Sequence, residues 1–322
     1  MKNCLIYGHN GLDLDVTMNL RSFYKSLGFK VIFSENLHQA DLLVVLRAVS
    51  NPINLTKYKF SLIHIFDYVG WDYNQLLKSI KHDITFIYCT NPIKQQGIID
   101  NCGFPKEHIF VVLPPVDTNL WSSKIEKKEY EFVHIGNFKK IEEGDITRKR
   151  FLKILIEWNV NVWGINWKGV GILKKLYHGK LGLFNVSKIY LKSKFALGLM
   201  YPFQRHVTFS GRFWQAPLNG CYVFSEAGYY TKSIPGIIET DYTAQDFKGK
   251  SLLQTDSIAL QKEAKQFWDD QYKFTLSYIS PTLNLIKASK FDIKIYCNFM
   301  GKYLLNFLRI YYQKMSLFLL FK

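Results

Sequence analysis

The sequence predicts an α/β protein made of two tandem, Rossmann-like, doubly wound domains with a cleft between them. Short apolar runs alternate with amphipathic helix patterns along the chain. These runs are continuously apolar, which indicates strands buried on both faces, as in a parallel sheet. The pattern stops at Pro114-Pro115 and the charged run KIEKKEYE, and then starts again. At 322 residues the chain is long enough for two domains.

The first predicted domain covers residues 1–113. It begins with a strand, NCLIYG, which ends at Gly8. A helix pattern follows from Val16, with apolar residues three and four apart, and Gly28 marks its end. Further strands are predicted at KVIF, DLLVVL, FSLIHIF, ITFIYC and IFVVL, with helices at Asn74–Ile80 and Ile93–Asn101.

A linker is predicted at residues 114–129, because two prolines cannot continue a helix and fit poorly in a central strand. The second domain, residues 130–286, repeats the alternation. Its predicted strands are YEFVHIGNF, VNVWGINW, KFALGLMY and CYVFSE. Its predicted helices are ITRKRFLKILIEW, NVSKIYLKS, GRFWQAPLNG with Gly220 as its stop, and the stretch Ser257–Ile286.

The last segment, residues 287–322, is predicted to be an amphipathic helical tail. From Phe291 onward it interleaves Phe, Tyr, Leu and Ile with five basic residues, and Asp292 is its only acid. Such a pattern from Lys302 onward is typical of a helix in a membrane interface. Packing of a terminal helix on the first domain is the alternative, and we prefer it for the residues before Lys302.

Net charge and cysteine content indicate which partners the protein could bind and in which cellular compartment it works. The net charge is +16, which favours anionic membrane surfaces, phosphorylated ligands or nucleic acid, although solvated surface charge explains it equally well. The charge is dispersed and no nucleic-acid motif is present, so we expect no nucleic-acid partner. The five cysteines include no C-x-x-C pair, which indicates reduced thiols in a cytoplasmic protein. We expect no signal peptide and no membrane-spanning segment.

The stretch HVTFSGRFWQAPLNG carries the strongest signal for a binding site. A helix starting near Gly211 presents unpaired N–H groups and a partial positive charge, a combination that binds phosphate. Ser210 is a suitable N-cap or phosphate ligand, and Arg212 adds charged donors. His206 and Thr208 precede them on the approaching loop. An ordinary capped helix with a surface arginine is the alternative.

Other predicted strand ends carry residues that agree with such a site. Gln215, one turn after Arg212, offers an amide for a ribose hydroxyl. HIGNFKK places Gly136 and Asn137 after one strand, with Arg148 near the next helix start, and WGINWKG places Gly164 after another. The tryptophans beside Gly164 are either core residues or the lining of a nucleotide base pocket.

These residues resemble a known family. FVHIGN, NVWGINW and TFSGRFWQAPLNGCYVFSE, within residues 130–230, resemble the donor-binding half of GT-B glycosyltransferases, in the group-1 and spore-coat-like branch of surface polysaccharide clusters. VVLPPVDTNLW resembles their interdomain connection. The resemblance implies that Gly136 and Asn137 lie beside the donor phosphates, and that Arg212 and the Ser210–Phe213 backbone bind the diphosphate.

The sequence departs from that family at one important position. Gln215 stands where the family usually has a glutamate that contacts the donor, and Val207 and Gln215 occupy the places of two glutamates that lie eight positions apart in many retaining members. The stereochemistry therefore stays open. For a catalytic base on the acceptor side we prefer Asp13, then Asp67, then His9, each at a predicted strand end, with a cap or turn residue as the alternative.

The resemblance implies a metal-independent glycosyltransferase at the inner face of the cytoplasmic membrane. It would bind no cofactor and would use a nucleotide sugar as co-substrate, with a lipid-linked glycan of the lipopolysaccharide or capsule type as acceptor. The sequence shows no D-x-D motif, and its histidines are scattered. A sugar-nucleotide epimerase of the same fold and a non-catalytic scaffold protein stay open as alternatives.

Overall fold

The computed structural model describes most of the chain. The described residues are 2–7, 14–34, 40–45, 60–65, 85–137, 145–167, 171–200, 209–243, 246 and 255–287. The predicted helix at Asn74–Ile80 and the tail from residue 288 onward lie outside them. The chain up to Ser277 belongs to one compact unit.

The first sheet has six strands, and all of its pairings are parallel. The strands are β1 (Asn3–Tyr7), β2 (Lys30–Ser34), β3 (Leu42–Val45), β4 (Phe60–Ile65), β5 (Thr85–Cys89) and β6 (Ile109–Val111). Their spatial order is β2-β1-β3-β4-β5-β6. Every residue of β3 and β5 is buried, as the continuous apolarity of these runs predicts.

Two helices flank this sheet within the described residues, and both end as their sequences predict. Helix α1 (Leu14–Ser26) ends before Gly28, whose φ of 84° is left-handed. Helix α2 (Pro92–Cys102) starts at Asn91, whose side chain accepts a hydrogen bond from the Lys94 amide at 2.8 Å. It stops at Gly103, which is also left-handed.

The second sheet is also entirely parallel, with five strands in the order β11-β10-β9-β7-β8. The strands are β7 (Tyr130–Ile135), β8 (Asn161–Trp163), β9 (Ser193–Gly198), β10 (Tyr222–Ser225) and β11 (Ile237–Glu239). The helices from the predicted linker onward are α3 (Thr118–Trp121), α4 (Asp145–Glu157), α5 (Leu183–Leu191), α6 (Arg212–Gln215) and α7 (Ser257–Lys287). The predicted α/β class with two doubly wound parallel sheets is therefore confirmed.

Each sheet has a point where the strand order reverses. In the first sheet, β2 lies on one side of β1 and β3 on the other. In the second, β8 lies on one side of β7 and β9 on the other. Ligands of doubly wound sheets bind outside the carboxyl ends of the strands at such reversal points. Ligand sites are therefore expected at the carboxyl ends of β1 and β3 and at those of β7 and β9.

Aromatic packing fixes the second sheet. On one face, Phe132, Phe195 and Phe224 come from three neighbouring strands, and Phe195 stacks on both of the others at centroid distances of 5.4 and 4.9 Å. On a separate core cluster, Trp214 and Trp268 pack edge to face. Because Trp268 belongs to α7, this second cluster ties the long helix to the residues around α6.

Within the described residues, no helix is both long and apolar enough to cross a membrane. The described cysteines, which are Cys4, Cys89, Cys102 and Cys221, are all free thiols. Burial raises the pKa of the Cys89 thiol to about 11 and that of Cys221 to about 12. These thiols are therefore protonated and unreactive at neutral pH.

Candidate functional site

The β7/β9 reversal point carries two glycines that allow close packing. Gly136 follows β7 and Gly164 follows β8, the strand paired with it. A β-carbon at position 136 would lie 2.6 Å from Arg212 Nη2 and 3.0 Å from His134 Nε2. At position 164, where φ is 141°, a β-carbon would overlap the Gly136 carbonyl. Backbone overlap and the positive φ therefore restrict position 164 to glycine, whereas a side chain at position 136 would displace the end of Arg212.

Arg212 places its guanidinium over the carboxyl end of β7. Its Nε donates a hydrogen bond to the Ile135 carbonyl at 3.0 Å, and its Nη1 lies 3.4 Å from the Ser210 hydroxyl. The helix starts at Arg212, one residue later than the sequence suggests, and ends at Gln215, because Pro217 begins a separate 3-10 turn that runs to Asn219 before the predicted stop at Gly220. The Ser210 hydroxyl accepts a long hydrogen bond, 3.4 Å, from the Arg212 amide at the start of the helix. The arginine fork is thus oriented by the backbone of the strand on which it lies.

His134 lies beneath this arginine, and the sequence analysis missed it. It is buried, and one ring nitrogen, Nδ1, lies 3.0 Å from the Leu197 carbonyl of the neighbouring strand β9. Because a carbonyl only accepts, Nδ1 carries the proton in the neutral ring. Burial and the charge of Arg212 lower the pKa of His134 to about 3, so the ring is neutral at physiological pH.

The loop after β8 is fixed to the loop after β7. The Asn137 side chain accepts a hydrogen bond from the Ile165 amide at 3.2 Å, and the Trp167 indole donates to the Gly136 carbonyl at 2.7 Å. Trp167 is buried, and buried Trp163 stacks on His178 with centroids 4.4 Å apart. Both tryptophans therefore take the core role that the sequence analysis left open.

Gln215 contacts a carboxylate of the helix that follows the first strand of the first sheet. Its Nε2 donates a hydrogen bond at 3.0 Å to Asp15, which belongs to the first turn of α1. The sequence analysis considered Asp13 in the same region but missed Asp15. One signal was available, since Asp15, Asn19, Ser22 and Ser26 follow one another at helical spacing along α1.

Two further groups complete the surroundings. The Tyr190 side chain is fully buried, and burial raises its pKa while the nearby charge of Arg212 opposes that rise. Glu226, directly after β10, forms an ion pair with Arg150 of α4 at 2.8 Å. The carboxylate that ends the CYVFSE run thus ties the carboxyl end of β10 to α4.

Several predicted site residues cannot be placed. Asp13, Asp67, His9, His206 and Thr208 lie outside the described residues. Arg148 lies on α4, but its side chain is not described. Of the predicted donor-site residues, the structure gathers six around the end of β7, and these are Gly136, Asn137, Gly164, Ser210, Gly211 and Arg212. In the part of the chain that the structure describes, no three His, Cys, Asp or Glu side chains are grouped to bind a metal.

Comparisons with known proteins give matches at the level of structure alone. No family model matches the sequence, and no curated protein matches it. AviGT4, a glycosyltransferase involved in avilamycin A biosynthesis, superposes with a TM-score of 0.59 at 12% identity, covering 90% of this chain and 99% of its own. HepE of Anabaena, solved with UDP and glucose, gives 0.55 at 12% identity over 88% and 100% of the two chains.

A third solved structure, the lipopolysaccharide outer core galactosyltransferase WaaB, gives a TM-score of 0.50 at 12% identity. The match covers 87% of this chain and 100% of that one. Together these matches span both sheets of the present structure. The chain has the GT-B fold, as the resemblance of its second half predicts.

Proposed function

We propose that this protein is a glycosyltransferase that binds a nucleotide sugar at the β7/β9 reversal point. The observation that carries the proposal is the position of Arg212, whose guanidinium lies over the carboxyl end of β7 beside a glycine that leaves room for it. An arginine at a strand end offers several fixed, charged donors to a phosphate. The GT-B fold and its solved examples with UDP give independent support.

Transfer of the sugar requires stabilisation of the departing nucleoside diphosphate. Negative charge grows on the diphosphate as the bond to the sugar breaks, and donors fixed in advance stabilise that charge most effectively. The Ile135 carbonyl fixes Arg212, and His134 beneath it stays neutral. The neutral ring does not repel the guanidinium, and in this proposal the positive charge of Arg212 serves the diphosphate.

The acceptor and its activation belong to the first sheet in this proposal. We propose Asp13, Asp67 or His9 as the base that removes the acceptor proton, in that order of preference. We further propose a lipid-linked glycan of the lipopolysaccharide or capsule type, met at the inner face of the cytoplasmic membrane. Two observations support it, namely the likeness to WaaB and the basic, aromatic tail.

The first experiment is a thermal-shift screen with UDP, GDP, CMP, ADP and dTDP. A ligand that binds only the native state raises the unfolding temperature. We expect one nucleotide to do so, and we expect Arg212→Ala to abolish the shift. Arg212→Lys should lose most of it, because an ammonium lacks the planar fork.

Arg21→Ala is the matched control, since the Arg21 guanidinium lies over the ring of Phe33 on β2, a strand of the first sheet. The control should keep the wild-type shift. If no nucleotide shifts the wild-type protein, the proposed function is wrong. If one nucleotide does bind, the protein is incubated with sugars linked to that nucleotide and without acceptor. This experiment separates transfer from epimerisation, because only an epimerase converts the donor sugar by itself.

A further inference from the structure

Polar residues along α1, a helix that flanks the first sheet, form hydrogen bonds with segments that flank the second sheet. Asn19 accepts hydrogen bonds from the Trp121 indole at 2.7 Å and from the Asp117 amide at 3.1 Å. Ser22 donates to the Asp117 carboxylate, and the Ser26 hydroxyl lies 2.8 Å from that of Tyr272 on α7. We call these contacts, with that of Asp15, the α1 seam. They fix the helix along its length against the segments that lead into and out of the second sheet.

Asp15 stands at the end of this seam that reaches the candidate site. Its Oδ2 accepts from Gln215 Nε2 at 3.0 Å and lies so close to Gly211 that a β-carbon there would overlap it. Gly211 has a φ of −55°, which is ordinary right-handed helix. Alanine would therefore suit the backbone at this position, and the approach of Asp15 is what excludes it.

We infer that Asp15 is a positioning residue of the nucleotide site, and that it orients the amide of Gln215 toward the ligand. An ionised carboxylate only accepts hydrogen bonds, so it fixes the Gln215 nitrogen on its own side. The side-chain oxygen of Gln215, Oε1, then points away from Asp15 and can accept a hydrogen bond from a hydroxyl of the bound nucleotide or sugar. This inference rests on the proposed function.

The arrangement explains why an amide stands at position 215. A carboxylate at that position would meet the Asp15 carboxylate at hydrogen-bond distance with no proton between them, and the two would repel. Exchange of the two groups would restore the bond, because a new amide at position 15 can donate to a new carboxylate at position 215. Residues 200 positions apart thus act as one unit that joins the first-sheet side to the nucleotide site.

The test is a double-mutant cycle of four proteins: wild type, Asp15→Asn, Gln215→Glu and the double variant. Calorimetry measures the affinity of each for the nucleoside diphosphate identified in the screen, and the unfolding temperature is recorded in parallel. We expect each single change to weaken binding about tenfold, and the double variant to recover to within about threefold of wild type. Recovery of affinity by the exchange is a result that loss of folding alone does not produce.

A matched pair elsewhere in the chain provides the control. Gln266 donates to Asp270 at 2.8 Å on the exposed side of α7, which repeats the amide-to-carboxylate chemistry on a solvent-exposed surface. Gln266→Glu and Asp270→Asn should leave nucleotide affinity unchanged. A second arm uses Gly211→Ala, which should weaken binding in the wild-type background and add no further loss in an Asp15→Ala background.

The outcomes separate the two proposals. If wild type binds a nucleotide but the two single effects multiply in the double variant, the role of Asp15 is wrong and the proposed function stands. If Gly211→Ala costs the same affinity in both backgrounds, the inference is wrong as well. If wild type binds none of the nucleotides, the proposed function fails, and the inference fails with it.

Discussion

Gly136 and Gly164 are adjacent in the fold, yet a side chain would have different effects at the two positions. At 136 the neighbour is the end of a flexible arginine side chain, which can move. At 164 the neighbour is backbone, and the φ of 141° is itself unfavourable for any other residue. The first glycine therefore serves the site, and the second serves the fold.

This difference predicts two distinct results. Gly136→Ala should displace Arg212 and abolish the nucleotide-induced thermal shift, while the free energy of unfolding falls by only about 1 kcal/mol. Gly164→Ala should lower that free energy by about 3 kcal/mol or more, because strain and overlap add. Urea titration measures both. Gly97→Ala, in the interior of α2, is the control and should leave binding intact. The nearest side-chain atom to a β-carbon at that position is Asn101 Nδ2, 3.9 Å away.

His134 predicts how stability depends on pH. Its pKa falls from 6.5 to about 3 on folding, so below pH 6.5 the unfolded chain takes up a proton that the folded chain refuses. Stability is therefore fully present above pH 6.5 and is lost as the pH falls toward 3. Over that window the loss is about 1.4 kcal/mol per pH unit for this residue.

A His134→Asn variant removes the titrating ring and keeps a polar side chain. Its free energy of unfolding should fall more gently between about pH 6 and pH 4 than that of wild type. Buried His64, whose pKa is also lowered to about 3 by burial, keeps part of the decline in both proteins. Urea titrations across this range measure the slopes. Parallel slopes in the two proteins would contradict the role given to His134.

At the scale of elements, Lys128 supports the ends of two helical segments. Its ammonium donates to the carbonyls of Leu191 at 3.0 Å and Gly220 at 3.0 Å, with that of Asn219 at 3.4 Å. Leu191 ends α5, and Asn219 ends the short helical turn after α6. A positive charge there satisfies terminal carbonyls and opposes the negative end of each helix dipole.

Removal of that charge should therefore destabilise the ends of α5 and of the helical turn after α6. Lys128→Met keeps most of the apolar stem, and we expect the free energy of unfolding to fall by about 1–2 kcal/mol in chemical denaturation. Exposed Lys127 is the matched control, and Lys127→Met should change stability by less than about 0.5 kcal/mol. Equal effects of the two substitutions would show that Lys128 contributes no more than a surface charge.

The elements themselves could be predicted from the sequence, because apolar runs and glycine stops are local signals. The six strands of the first sheet, four of the five in the second and the stops at Gly28 and Gly220 follow from them, whereas β11 (Ile237–Glu239), only three residues long, was missed. The pairing of Asp15 with Gln215 could not be predicted, since it joins residues 200 positions apart and depends on how α1 packs. His134 was missed for a related reason, because its importance comes from an arginine that the fold places above it.

At the scale of the whole molecule, the two reversal points and the α1 seam belong together. Asp15 follows the first reversal point in the chain, and Arg212 lies at the second. The bond from Gln215 to Asp15 connects the two, so the orientation of the first sheet's first helix bears on the candidate ligand residues beside the second sheet.

The net charge of +16 and the basic, aromatic tail lead to the last prediction, which concerns membranes. A variant that ends at about residue 300 loses Lys302, Arg309, Lys314 and Lys322 with their apolar neighbours. Each basic residue near an anionic surface contributes about 1 kcal/mol to binding, so sedimentation with vesicles of anionic lipid should fall by more than about tenfold.

Two controls make this result specific. The wild-type protein should bind vesicles of neutral lipid weakly, and its binding to anionic vesicles should decline with salt, because screening shortens the reach of the charges. The shortened variant should still show the nucleotide-induced thermal shift, since the residues around Arg212 all precede the deletion. If it sediments with anionic vesicles as the full chain does, the tail is no membrane anchor, and the dispersed charge of the two sheets must account for the binding.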